Sequence, residues 1–169
     1  MTAAPANQDP TEFASRLQRH RPLFVLTGAG VSTASGIPDY RDAEGHWKHR
    51  RPVQYADFVR SPSVRQRYWA RSMIGWPRVA NSLPNAAHQA LNRLQRSGFV
   101  SRLVTQNVDG LHEKAGSREV IDLHGRLDTV VCLGCGERQA RTILQKRLQS
   151  ANQRYLHLSS TAAPDGDAD

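Results

Sequence analysis

Pro22-Leu23-Phe24-Val25-Leu26-Thr27-Gly28-Ala29-Gly30 is the stretch that decides the fold class. A short apolar run that ends on two glycines reads as a buried β-strand entering a tight turn. Such a turn is where a parallel sheet binds a dinucleotide. Glycines let the backbone approach a pyrophosphate, and the amides at the next helix N-terminus face the anion. Gly28 and Gly30 supply a G-x-G, but the third glycine of G-x-G-x-x-G falls on Thr33, and the next glycine is Gly36. The acid that holds a ribose diol about 20 residues on is missing as well. Trp47, Lys48, His49 and Arg50 stand in that region. Taken alone, the turn reads equally well as a structural bend or as a cofactor loop. Its departures argue against an ordinary dehydrogenase.

Working outward, Asp9-Pro10-Thr11-Glu12 opens a helix, with a capping acid, proline at the first turn and Glu12 able to reach back. Phe13 and Leu17 share one face of it. Residues 43–60 are mixed, basic and aromatic, with no clean period. Residues 63–76 read as a helix with Val64, Tyr68 and Trp69 near one stripe. Residues 85–98 are a clearer helix: Asn85 can cap it, Ala87, Leu91 and Leu94 face inward, and Gly98 stops it. Strand signals follow at 100–105 and 120–123, and residues 137–157 read as a further helix with Ile143, Leu144 and Leu148 spaced for one face. No internal repeat is visible. The alternation of strand, helical insert, helix, strand, turn and strand favours an α/β fold with a parallel sheet.

Composition narrows the function classes. The 169 residues suffice for one domain with a sizeable core and are short for two. No stretch approaches the ~18 consecutive apolar residues of a membrane-spanning helix. The start, MTAAPANQDPTEF, lacks the basic and apolar regions of a secretory signal, and its acids argue against a transit peptide. The formal net charge is +8, and all of it lies between Arg16 and Arg78, where 12 bases face four acids. An Arg-rich face can bind phosphates or nucleic acid. These arginines are scattered without regularly interleaved aromatics, so a solvated basic surface is the expected reading and nucleic acid is not the expected partner. Two cysteines, Cys132 and Cys135, exclude a disulfide framework and suit a reducing cytoplasm.

GAGVSTASGIPDYRD at 28–42 resembles the first signature of the sirtuins, the NAD-dependent protein deacylases. TQNVDGLHEKAG at 105–116 resembles their second signature, and Leu123-His124-Gly125 resembles the third, which carries the catalytic histidine. Cys132-x-x-Cys135 stands where the family begins its zinc module. The four motifs keep the family's order over roughly 20–136, and RYWARSMIGWP at 67–77 with PNAAH at 84–88 resembles the class II branch, which has many bacterial members.

The resemblance implies a Rossmann-like parallel sheet, partial in this chain, with a helical insert and the start of a small zinc-binding module. It places the NAD-binding lobe at 9–45 and 84–127, the insert at 46–83 and the zinc module at 128–169. Gly28, Ala29 and Gly30 would cradle the NAD diphosphate, with Ser32 nearby and the Arg41 guanidinium beside phosphate oxygens. Ile37 and Asp39 would line the nicotinamide pocket, where the Asp39 carboxylate accepts from the carboxamide NH2; Tyr40, where many sirtuins carry Phe, would shield it. Gln106, Asn107 and Asp109 would contact the nicotinamide ribose, Asn107 ranking with the catalytic residues. His124 would be the general base, imidazole being the side chain that exchanges a proton near neutral pH. The substrate would be an acyl-lysine protein or peptide, and the products free lysine, nicotinamide and O-acyl-ADP-ribose. Tyr68 and Arg71, three apart on a helix, resemble the pair by which another sirtuin branch grips acidic acyl groups, and equally suit plain helix packing. His88 and His112 are expected to make structural hydrogen bonds, and His20, His46, His49 and His157 to face solvent.

One C-x-x-C is half of a structural zinc site, because zinc takes four ligands in a tetrahedron. No cysteine follows Cys135, and His157 is a weak third candidate. The family's later Rossmann strands, which hold the adenosine half, are absent too. The expectation is a fragment that binds NAD poorly and turns over little substrate. Two alternatives stand beside the deacylase: a non-catalytic NAD/ADP-ribose-binding or interaction remnant, and a protein ADP-ribosyltransferase using the same site. A nucleic-acid-binding zinc knuckle fits the charge but not the ordered motifs.

Overall fold

The structure, a computed structural model, describes residues 9–42, 44–48 and 52–158; His49, Arg50 and 159–169 lie outside the described residues. The elements run α1 (Pro10–Arg19), β1 (Leu23–Thr27), a 3-10 helix (Ala29–Ser35), α2 (Tyr55–Arg60), α3 (Pro62–Asn81), α4 (Ala86–Arg96), β2 (Val100–Thr105), α5 (Leu111–Lys114), β3 (Ile121–Asp122), β4 (Thr129–Val131), β5 (Arg138–Ala140) and α6 (Arg141–Ala151).

The apolar run at 23–27 forms β1, and β1, β2 and β3 make one parallel sheet in that order. Val25 lies opposite Leu103, Thr27 opposite Thr105, and Thr105 opposite Asp122. All three strands therefore end at one edge, the place where open α/β sheets bind ligands. The glycine turn, residues 106–109 and His124 all leave from that edge. β4 and β5 form a separate antiparallel hairpin around the C-x-x-C.

At β1 one face of the sheet is covered and the other is not, whereas β2 buries Leu103 and Val104 on opposite faces. Leu103 is 0% exposed and α4 packs on β2, whereas Phe24 is 66% exposed and Leu26 52%. A fully buried β1 was expected, and the structure corrects this: the strand buries alternate residues, as a half-covered pleated strand does. Beyond the sheet, Ile37, Val79 and Leu111 form a buried cluster with Leu127 packed against it. Each such side chain contributes about 1.5–3 kcal/mol on burial.

The helices carry further corrections. α1 is capped by Asp9, whose Oδ1 accepts from Thr11 N at 2.9 Å, but it buries none of its residues and leaves Phe13 exposed. α3 runs on through Pro77 to Asn81, and it buries Ser72, Met73, Gly75, Trp76 and Val79 rather than the Val64–Tyr68–Trp69 stripe, which is half-buried. In α4, Leu91 and Leu94 are half-buried but Ala87 is exposed, and His88 takes the fully buried position. The single helix expected over 137–157 divides into β5, α6 and a short 3-10 turn, Gln153–Tyr155. α6 turns Ile143 to solvent and buries Arg141 and Gln145 instead. Arg141 donates to Gln145 Oε1 at 2.8 Å and to Ser72 Oγ at 3.1 Å, and its guanidinium lies 4.7 Å from the Trp76 ring centre. Gln145 Nε2 donates to Met73 O at 2.7 Å. A satisfied polar pair, not an apolar stripe, docks α6 on α3.

Candidate active site

At the carboxyl edge of the sheet lies a cleft of about 920 Å³, large enough for a nucleotide-sized ligand. Ala29, Gly30, Ser32, Ile37, Asp39, Tyr40, Arg41, Gln106, Asn107, Asp109 and His124 all line it, so residues up to 95 apart in sequence converge on one site. Gly28 forms the base of the turn, its carbonyl engaged by Asn107. Tyr68 lines the cleft, and Arg71 is not among its lining residues.

The cofactor-type loop is fixed from within. Chain direction reverses through the 3-10 helix and ends at Gly36, whose φ of +80° places it in the left-handed region. A methyl built on Gly28 or Gly30 meets nothing within 4 Å, so the backbone there is open to a ligand's approach. Asn107 Nδ2 donates to Gly28 O at 3.1 Å and to Ser32 Oγ at 3.0 Å. Ser32 Oγ in turn donates to Asp109 Oδ2 at 2.7 Å, and Asp109 Oδ1 accepts from Leu111 N at 2.9 Å. From the other side, Asn85 Nδ2 donates to Val31 O at 2.8 Å and Ser35 Oγ at 2.9 Å while its Oδ1 caps α4.

The far wall is held by charge and stacking. Lys48 pairs with Asp39 at 2.7 Å, and Arg41 donates to Gly45 O and lies 4.2 Å from the Trp47 ring centre. Tyr40 meets Trp47 edge to face. His124 is exposed to the cleft, and its Nδ1 lies 3.0 Å from Gln106 O. A carbonyl only accepts, so Nδ1 carries a proton, and in the neutral ring Nε2 presents its lone pair.

Arg126, two residues on, was not singled out from sequence. It lines the cleft and ties three carboxylates together: Glu113, Asp122 at 2.9 Å and Asp128 at 2.7 Å. The Arg126 hydrogen bonds hold the Asp128 carboxyl below its ordinary range, while burial raises that of Asp122. The available signal was the run of acids at 122 and 128 around the histidine motif. Gln54 and Tyr55 also line the cleft and carried no sequence signal.

Away from the cleft, Cys132 and Cys135 sit in the β4–β5 turn, both exposed. Gly136 N donates to Cys132 O, and Cys132 N to Glu137 O, each at 2.9 Å. Hydrogen bonds from the Cys135 and Gly134 amides hold the Cys132 thiol below its usual value. Such a turn favours thiolate, the form a metal binds. Among the described residues, however, no group of three His, Cys, Asp or Glu side chains converges, and exposed His157 does not join the two thiols. His20 and His46 are exposed as expected.

The chain matches the Sir2 family over residues 28–161. It belongs to that family. It is 54% identical, over all 169 residues, to an NAD-dependent protein deacetylase of Xanthomonas axonopodis pv. citri (strain 306), and covers 57% of that protein. Over 170 aligned positions it is 55% identical to NAD-dependent protein deacetylase 2 of Bradyrhizobium diazoefficiens, covering all of this chain and 61% of that one. The chain thus spans about three-fifths of the length of these curated relatives. Among solved structures, a Sir2 protein with p53 peptide and NAD+ superimposes with a TM-score of 0.72 at 34% identity, over 82% of this chain and 55% of that one. A Sir2 protein bound to acetylated peptide gives 0.68 at 33% identity, over 83% and 55%. The Sir2-type α/β fold is therefore that of this chain.

Proposed function

We propose that this Sir2 chain carries the NAD-binding and catalytic half of an NAD-dependent protein-lysine deacylase. The observation that carries the reading is the meeting of His124 with the Gly28–Asp42 loop and residues 106–109 in one cleft, with Nε2 of His124 left free by the Nδ1 contact to Gln106 O. When bound, NAD supplies a ribose carbon whose bond to cationic nicotinamide breaks readily, so that an acyl-lysine oxygen can displace it. The chain's own residues bind, orient and move a proton. The open amides at Gly28–Gly30 receive phosphate oxygens. Asp39 accepts from the nicotinamide carboxamide, and Lys48 holds that carboxylate in place at 2.7 Å. Asn107 and Asp109 present polar groups to the ribose, and Tyr40 with Trp47 shields the pocket from water. His124 Nε2 accepts the proton of a ribose hydroxyl as it attacks the acyl carbon. One water is consumed in releasing the amine, and free lysine, nicotinamide and O-acyl-ADP-ribose result.

Zinc would be held by Cys132 and Cys135. These two ligands do not complete its tetrahedron. No helix of the described residues is long and apolar enough to cross a membrane, and a reducing cytoplasm suits two free exposed thiols.

Incubation of the chain with NAD and an acetyl-lysine peptide tests the reading. Nicotinamide release matched by deacetylated peptide, and lost in His124→Ala, supports it. Equal release by both proteins contradicts it, and NAD binding without release favours a binding remnant.

A further inference from the structure

His88 and His112 are the two most deeply buried titratable groups among the described residues, 0% and 1% exposed, and the proposed reaction uses neither. Their rings lie 4.8 Å apart, centre to centre, at the packing surface of α4 and α5. Each uses one ring nitrogen. His88 Nδ1 accepts from Asn85 N at 3.3 Å, and His112 Nε2 lies 2.9 Å from Thr27 Oγ1. The remaining nitrogens, His88 Nε2 and His112 Nδ1, are buried without a hydrogen-bond partner.

The proton positions follow from the partners. Asn85 N–H can only donate, so His88 Nδ1 is bare and, in a neutral ring, Nε2 carries the hydrogen. Burial is the main influence on both rings and favours the neutral form. Thr27 has one hydroxyl hydrogen. Thr27 Oγ1 donates to Thr105 Oγ1 at 2.9 Å, which also accepts from Asn107 N at 3.0 Å. That leaves His112 Nε2 to donate to Thr27 Oγ1, and His112 Nδ1 bare. The two unpartnered atoms are then one donor and one acceptor. The opposite tautomer of His112 sets two buried donors against each other, each costing its desolvation.

We propose that His88 and His112 are positioning residues. They form one polar relay, closed through a bridging water between His88 Nε2 and His112 Nδ1, that runs from Asn85 through His88, His112, Thr27 and Thr105 to the amide of Asn107. Its ends are the two asparagines that hold the Ala29–Ser35 turn: Asn85 through Val31 O and Ser35 Oγ, Asn107 through Gly28 O and Ser32 Oγ. The relay fixes the distance between the two grips, and so the shape of the loop on which NAD is proposed to lie. Only this last link rests on the cofactor reading.

Long-range 1H–15N NMR of the imidazoles in the full chain at neutral pH tests the relay without any ligand. Both rings should show the Nε2–H neutral form, with the His112 Nδ1 resonance shifted as a hydrogen-bonded acceptor. An Nδ1–H form or a protonated ring at His112 overturns the relay. The loop link is tested by titrating NAD into wild type, His112→Leu and His112→Gln. His112→Leu should bind about tenfold more weakly, the cost of removing the donor to the Thr27 hydroxyl oxygen, and His112→Gln, which keeps a donor near Nε2, should recover most of that loss. His112→Leu binding as tightly as wild type overturns the link. Absence of NAD binding by wild type defeats the cofactor reading and with it the loop link, while the imidazole spectra still decide the relay.

Discussion

The cleft and the C-x-x-C hairpin are both turns shaped by hydrogen bonds, and they differ in who finishes them. At the cleft, four side chains close on one turn: Asn107 and Asp109 from one side, Asn85 from the other, and Ser32 between. At the hairpin, two backbone bonds shape the turn and both thiols face outward. The sheet end thus carries its own geometry. The hairpin presents half of a ligand set and relies on what trails it, α6, for its hold on the rest of the chain.

That hold is the first thing to break. Arg141→Ala removes charged hydrogen bonds to Ser72 and Gln145 and the stacking over Trp76, at a cost of about 3 kcal/mol measured by denaturant unfolding. A loss below about 1 kcal/mol would show that α6 is not anchored this way. Asn107→Ala attacks the finished turn. It removes the side-chain donor to Ser32 Oγ and Gly28 O, leaving each with one other bond, and should cost about 2 kcal/mol in stability, with a loss of NAD affinity of about tenfold.

Acid provides a smaller, graded test. Burial holds His88 and His112 below 6.5 in the folded chain, and the nearby Asp109 and, for His112, Glu113 only partly oppose it. As pH falls past that value the unfolded chain takes up protons before the folded one does. Stability is therefore intact above 6.5 and declines below it, by up to about 1.4 kcal/mol per pH unit per histidine. Unfolding curves at pH 7 and pH 5.5 should show the decline in wild type and a flatter response in His88→Gln. Least of all, Cys132→Ser in metal-free buffer should change stability by under about 0.5 kcal/mol, because the exposed thiol supports nothing at the sheet end. A larger loss would place the hairpin in the fold's support.

Local chemistry made the sheet end legible. The apolar run to Gly28 and the capping Asn85 state their own conformation, and the resemblance in motif order ties them and the 105–109 segment to one site. What stayed hidden depends on neighbours far along the chain. Nothing near Phe24 or Leu26 says which face of β1 is covered, so an apolar run reads as wholly buried. Arg141 and Gln145 look like surface residues because their partners, Ser72, Met73 and Trp76, lie about 70 positions away. Arg126 is unremarkable until β3 and α5 bring Asp122 and Glu113 to it. His88 takes the inward place expected of Ala87, because a capping asparagine three residues earlier gives a buried imidazole a partner.

One cleft, built by the glycine turn, residues 106–109 and His124, is proposed to receive NAD. A 1H–15N NMR titration of the 169-residue chain with NAD tests it even where binding is weak. Shift changes concentrated at Gly28–Asp42, Gln106–Asp109 and His124, with the Cys132–Cys135 turn unmoved, are the predicted result. No saturable change, or changes centred on the hairpin, would contradict it.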